Sequence, residues 1–276
     1  FATARGQYAY YQALAKRGVI QQIRSREHLK SHLTAWQTWE GEQKAEQPPL
    51  GFLISMESAD PILKPDELEE WWQLGVRSIG PAHYGPGRYA GGTSTEEGLC
   101  DIGFHLLKEM ERLGIILDLT HLSDKAFWQA LEHFSGKVIA SHNNCRALVP
   151  HQRQFSDEQL LSIIKRDGVI GVAFDTWMLE PGWIKGESTN AGVGIAKVLD
   201  HIDHICALAG NSHNVGIGSD LDGGFGLEQS PHDLDTIADL ALFPQLLKAR
   251  DYKQTDIENI MHGNWLRFLE QALPET

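Results

Sequence analysis

The chain has 276 residues, 42% of them hydrophobic and 22% charged, enough for one large α/β domain with a substantial core. Its formal net charge of −13 repels phosphate backbones and anionic lipid surfaces, so nucleic acid and membrane surfaces are not expected partners. No apolar stretch approaches the roughly 20 residues that span a bilayer, and three cysteines, Cys100, Cys145 and Cys206, lack any CxxC spacing; that count argues against a disulfide framework and favours a reducing, cytoplasmic setting.

The chain opens Phe1-Ala2-Thr3 and reads as helix over 7–16. This is not how a native start or a signal peptide looks, so further residues are expected ahead of it. A polar stretch, 38–49, reads as a loop. From residue 51 a strand-then-helix rhythm takes over. Short runs rich in Val or Ile at 51–56, 76–80, 115–119, 137–140, 169–174 and 215–218 predict buried parallel strands. Amphipathic stretches at 65–74, 99–113, 124–134, 157–166 and 195–209 predict the helices between them, with two more at 233–249 and 256–273. Ser123 precedes one helix, and Ser156 with Gln159 three residues later forms a capping-box pattern before another.

Strands alternating with helices imply parallel βα units. The polar residues cluster directly after the strands, where the active sites of barrels lie, so a TIM-like (β/α)8 barrel fits better than a doubly wound sheet. Six strands cannot close such a barrel. Two more are expected from the front, and the expected organisation is a single barrel domain, 1–276, incomplete at its N-terminal end.

Five of the six strands deliver a carboxylate or an imidazole to one rim: Glu57, His83, Asp118 with His121, His142, and Asp220 with Asp222. Together these are ligands suited to Zn²⁺ or a similar divalent ion. One such histidine is more often a hydrogen-bonded structural residue; five convergent positions make that reading much weaker. The tryptophans Trp71, Trp72 and Trp128 fall on helices and read as packing residues, whereas Trp177 and Trp183 follow a strand on the rim side. The run Gly85 to Gly92 lacks the Lys-Ser/Thr ending of a phosphate loop and reads as an active-site loop.

The segments GFLISMESADPIL, GVRSIGPAHYGPGRYAGG, LGIILDLTHLSDKAFWQAL, VIASHNNCRALVPHQRQFSDEQL, DGVIGVAF, VGIGSDLDGG and IMHGNWLRFL resemble, in that order, the membrane dipeptidase (renal dipeptidase) family of the amidohydrolase superfamily, its bacterial members in particular. The resemblance runs from about residue 50 to the end. It implies two zinc ions, with Glu57 as the bridging carboxylate and His121 and His142 as imidazole ligands of the second metal. His83 would contact the substrate and polarise the scissile carbonyl, and Arg153, with Arg146 a weaker rival, would grip the terminal carboxylate. Asp220, preferred over Asp222, would shuttle the proton. Asp118 and Ser141 would orient the imidazoles or be buried polar residues satisfied by backbone.

The implied reaction is hydrolysis of a dipeptide by a metal-bound hydroxide, with D-configured C-terminal residues tolerated and a homodimer the expected assembly. The chain departs from the family in one respect: no His-x-Asp pair stands before Glu57, where only His28 and His32 occur, on a predicted helix. The expectation is that this pair belongs to a preceding segment. Two other functions stay open: an amidohydrolase acting on N-acyl amino acids or lactones, and a catalytically silent barrel that binds or assembles.

Overall fold

The computed structural model describes residues 1–42, 46–221 and 223–276. It divides into two compact units, Phe1–Lys137 with Leu269–Thr276, and Val138–Phe268.

The first unit begins with α1 (Ala2–Lys16), β1 (Ile20–Gln22), α2 (Arg26–Glu42) and β2 (Leu50–Phe52). β1 was not foreseen, and it pairs in parallel with β2, Ile20 opposite Leu50. α2 runs into the stretch read as loop; its last described residues, 38–42, are helical, residues 43–45 lie outside the described set, and 46–49 carry no helix. The run at 51–56 breaks into β2 and β3 (Ile54–Glu57). After a 3₁₀ turn at Pro65–Glu67 come α3 (Leu68–Gln73), β4 (Val76–Gly80), α4 (Asp101–Leu113), β5 (Ile116–Asp118) and α5 (Asp124–His133).

β3, β4 and β5 lie side by side in parallel, Glu57 level with Gly80 and Ile79 with Leu117. β4 is buried along its whole length, as a strand covered on both faces must be. Its one arginine, Arg77, is buried, stacks on Trp72 with its guanidinium carbon 4.5 Å from the ring centroid, and donates to the Arg24, Trp72 and Val76 carbonyls at 2.7, 2.8 and 3.0 Å. Burial lowers its pKa to about 10. α4 turns Leu106, Leu107 and Met110 inward and ends on Gly114, whose φ of 66° closes the helix in the left-handed conformation that glycine takes without strain.

The second unit holds β6 (Val138–Ile139), α6 (Asp157–Lys165), β7 (Ile170–Val172), α7 (Ile195–Ala209), β8 (Val215–Ile217), α8 (Phe243–Ala249), α9 (Gln254–Glu258) and the start of α10 (Asn264–Ala272), as far as Phe268. A parallel bridge joins Ala140 to Ile170, and β7 pairs with β8 in parallel. The capping box of α6 is formed: Ser156 Oγ accepts from the Gln159 N–H at 3.3 Å, and Gln159 Oε1 accepts from the Ser156 N–H at 2.9 Å. The helix expected over 233–249 is shorter. A 3₁₀ segment, Ile237–Leu242, precedes α8 and buries no residue. Parallel strands alternating with helices are the architecture expected from the hydrophobic pattern. Among the described residues no helix is long and apolar enough to cross a membrane.

Candidate metal centre

Glu57 is the last residue of β3, and its side chain is 47% exposed. His121 stands three residues beyond β5, buried to 4%, with Nε2 3.2 Å from Glu57 Oε1. His83 stands three residues beyond β4, with Nε2 3.7 Å from the same oxygen. The His83 ring lies 4.4 Å from that of His121 and 4.9 Å from that of Tyr84, edge-on to both. Three consecutive parallel strands thus bring one carboxylate and two imidazoles together at their C-terminal ends.

The Nδ1 side of His121 is met by a residue that carried no signal in the sequence. Thr93 is fully buried, and its Oγ1 lies 3.0 Å from His121 Nδ1 and 3.4 Å from the His121 carbonyl oxygen. In the tautomer where this hydroxyl takes the Nδ1–H, Nε2 is the nitrogen that can bind a cation. Thr93 is placed by backbone zipping: its N–H donates to the His83 carbonyl at 2.8 Å, and its carbonyl accepts from the Gly85 N–H at 2.9 Å. A Cβ on Gly92 would stand 1.9 Å from the His83 oxygen, so only glycine permits this approach. Thr93 directly follows the segment that ends at Gly92, and nothing local ties a threonine to a histidine 28 positions on. The 85–92 loop is pinned by buried Tyr89, whose hydroxyl donates to the Ile62 carbonyl at 2.6 Å.

In the second unit His142 follows β6 and is buried. Ser141 Oγ lies 2.9 Å from its Nδ1. Asp118 Oδ1 accepts from the Thr120 N–H at 3.1 Å. Arg153, 2% exposed, donates to Asn143 Oδ1 and, at 2.8 Å, to the His142 carbonyl. Its rival Arg146 donates to the Gln154 and Gln152 carbonyls at 2.9 and 3.1 Å within its own loop. Asp220 follows β8 with φ 58°, and its carbonyl accepts from the Gly223 N–H at 2.8 Å; Asp222 lies outside the described residues. Trp177 donates from Nε1 to Asp175 Oδ2 at 2.8 Å, and Trp183 donates to the Thr189 carbonyl at 3.1 Å. Trp71 is buried as expected of a packing residue, whereas Trp128 is exposed.

Glu57 and His121 in the first unit and His142 in the second each offer one ligand atom to a cation. In the first unit the Glu57 carboxylate and the His121 imidazole, 3.2 Å apart, are donor types that fit Zn²⁺ or a like divalent cation.

A family model described as membrane dipeptidase (peptidase family M19) matches residues 5–274. An uncharacterized protein of the pqqA 5′ region of Klebsiella pneumoniae is 32% identical over 214 residues, 75% of this chain and 76% of that protein. Dipeptidase tcpJ of Claviceps purpurea is 32% identical over 207 residues, 72% of this chain and 45% of its own length. Three curated relatives are matched over 45%, 48% and 51% of their sequences, so the chain spans about half their length. A crystal structure of a metallopeptidase from Rhodobacter sphaeroides, liganded with a phosphinate mimic of the dipeptide L-Ala-D-Ala, superposes with a TM-score of 0.81 at 27% identity, covering 98% of this chain and 74% of that one.

Proposed function

Because this chain belongs to the membrane dipeptidase family, peptidase family M19, we propose that it hydrolyses the peptide bond of small dipeptides with a divalent metal, zinc, two ions forming the full complement. The observation that carries the reading is the approach of His121 Nε2 to Glu57 Oε1 at 3.2 Å, with His83 Nε2 3.7 Å from the same oxygen. Glu57 would bridge, and His121 and His142 would hold the second ion. When bound, such a metal polarises a carbonyl and brings the pKa of a coordinated water towards neutrality.

The chain's own groups complete the chemistry. His83, half exposed beside Glu57, donates from its imidazole to the developing oxyanion of the scissile carbonyl. Arg153 receives the free C-terminal carboxylate of the substrate, a task that a planar guanidinium performs bidentately. That requirement selects dipeptides over longer chains. Asp220 carries the proton to the nitrogen of the leaving amine. The Rhodobacter metallopeptidase holds a mimic of L-Ala-D-Ala, which supports a D-residue at the leaving position here too.

We place the protein in the cytoplasm as a homodimer. The reducing compartment is supported by its three cysteines, all free; light scattering of the purified protein reads the assembly.

The test is amino-acid release from a panel containing L-Ala-D-Ala, other dipeptides, N-acyl amino acids and lactones, before and after chelation and zinc re-addition. Zinc-dependent release from dipeptides is expected, with Asp220→Asn slower by roughly 10²- to 10⁴-fold, the range of a lost general acid–base. Turnover indifferent to chelation would overturn the metal reading, and turnover indifferent to Asp220→Asn would overturn the proton shuttle. Preference for N-acyl amino acids or lactones would replace the substrate.

A further inference from the structure

Asp175, two residues beyond the last strand residue but one of the 169–174 run, is a carboxylate in a place where water scarcely reaches. It is 7% exposed, and no role above uses it. It accepts three hydrogen bonds: Gln229 Nε2 donates to both carboxylate oxygens, at 2.8 and 2.7 Å, and Trp177 Nε1 donates to Oδ2 at 2.8 Å. Burial pushes its pKa up to about 6, and the charge of Asp220 adds to the rise while the Gln229 and Trp177 bonds oppose it.

Each donor leads to a loop of the proposed reaction. Gln229, 3% exposed, closes the segment that begins at Asp220, and its backbone carbonyl also accepts from Thr176 Oγ1 at 3.1 Å. The same two stretches are tied once more where the Phe174 N–H donates to the Ser219 carbonyl at 3.2 Å. On the other side the Trp177 ring stands edge-on to His151 with centroids 4.9 Å apart, and His151 Nδ1 accepts from the Arg153 N–H at 3.0 Å. His151 Nδ1 is therefore an acceptor, so the Trp177 ring supports a neutral imidazole. From one carboxylate a continuous set of contacts reaches the main chain of Arg153 and the segment of Asp220.

We infer that Asp175 is a positioning residue for the reaction proposed above: its carboxylate braces the two loops that present Arg153 to the substrate carboxylate and Asp220 to the leaving amine. The inference rests on that dipeptidase reading for its kinetic consequence, while the brace itself is a property of the chain. A carboxylate is needed because it alone accepts at both oxygens. An asparagine has one acceptor and one amide group, and that group would face a donor, Gln229 Nε2 or Trp177 Nε1. Exchanging the partners restores the match: in Asp175→Asn/Gln229→Glu, the asparagine amide donates to the glutamate and its oxygen accepts from Trp177.

The test compares wild type, Asp175→Asn, Gln229→Met and the exchanged double variant by zinc content, by steady-state kinetics on L-Ala-D-Ala, and by hydrogen exchange of peptides covering 148–154 and 219–230. Asp175→Asn is expected to keep its zinc and to lose kcat/KM roughly ten- to hundredfold through both a higher KM and a lower kcat. Exchange in the two peptides should speed up while the rest of the chain stays as protected as in wild type. The double variant should regain most of both, which a general loss of packing would not allow. Gln229→Met, which leaves the carboxylate in place, should loosen 219–230 more than 148–154. Unchanged exchange in Asp175→Asn, or no recovery in the double variant, overturns the brace. An inactive wild type with the expected exchange pattern overturns the dipeptidase reading and leaves the brace standing.

Discussion

Acid should destabilise this fold through one buried imidazole. His201 on α7 is 1% exposed, and its Nδ1 accepts from the Cys145 N–H at 3.1 Å. Protonation would set two donors face to face in a site without water, and burial accordingly lowers its pKa from 6.5 to about 4. A depressed histidine binds its proton more weakly folded than unfolded, so its contribution to stability is complete above pH 6.5 and is lost as pH falls towards 4. At about 1.36 kcal/mol per pH unit the loss is about 3 kcal/mol. Asp175 acts in the opposite sense. Its folded pKa is raised from 3.8 to about 6, so its share of stability is complete below pH 3.8 and is lost as pH rises towards 6. Over pH 6.5 to 4 it returns about 2 kcal/mol. The wild type should therefore change by only about 1 kcal/mol from these two groups. His201→Asn, whose Oδ1 can still accept from Cys145, removes one arm of the balance. It should be less stable than wild type at pH 6.5, yet gain about 2 kcal/mol on acidification to pH 4. Urea unfolding midpoints at half-unit pH intervals read this as a divergence approaching 1 M between the two proteins. Midpoints that run parallel across the window would refute the assignment of a buried neutral imidazole.

Three further outcomes follow from the geometry. Thr93→Val keeps the shape beside His121 but removes the hydroxyl at Nδ1; zinc affinity, read by competition with a chromophoric chelator, should fall roughly 10- to 100-fold, and Thr93→Ser should restore it. Gly92→Ala places a methyl against the backbone oxygen of His83, so thermal unfolding should show a loss of about 1–3 kcal/mol, as overpacking costs, together with weakened metal binding. Ser156→Ala removes one half of the α6 capping box and should cost about 1 kcal/mol in the same unfolding measurement, with zinc affinity unchanged.

The strand-and-helix order was legible because period and punctuation agree: runs of Val and Ile four to six long, each followed by a polar residue, are hard to read as anything but covered parallel strands. β4 and the Ser156 cap came out as read. Where the reading slipped, local pattern was weaker than tertiary context. β1 is three residues, Ile20-Gln21-Gln22, too short and polar to signal a strand without its partner β2. The 38–42 stretch has the polarity of a loop, yet it continues α2, where Thr34 Oγ1 and Thr38 Oγ1 donate to the carbonyls four residues back at 2.9 and 2.8 Å. At 233–236 the helical period extends in the sequence across Asp233, whose Oδ1 accepts from the Ile195 N–H, and Asp235, whose own N–H donates to Asp239 Oδ2; such side-chain-to-backbone bonds compete with the helix.

The ligand types were visible at the strand ends, but the features that aim them were not, and the backbone explains why. Among the described non-glycine residues only six have positive φ, and three belong to the candidate site: Ser58 at 111°, directly after Glu57, His121 at 68° and Asp220 at 58°. A side-chain-bearing residue held there costs of order 1 kcal/mol or more and persists only where surrounding contacts insist on it. Histidine and aspartate are among the side chains that tolerate this region, but what fixes His121 there is distant, Thr93 at Nδ1, whereas for Asp220 it is local, the close approach of Gly223, where a Cβ would stand 2.5 Å from Asp220 Oδ1. A chain selected for stability alone would put glycine or asparagine at such positions. That it keeps a histidine and an aspartate there means that the side chain, and the direction the strained backbone gives it, outweighs the conformational cost.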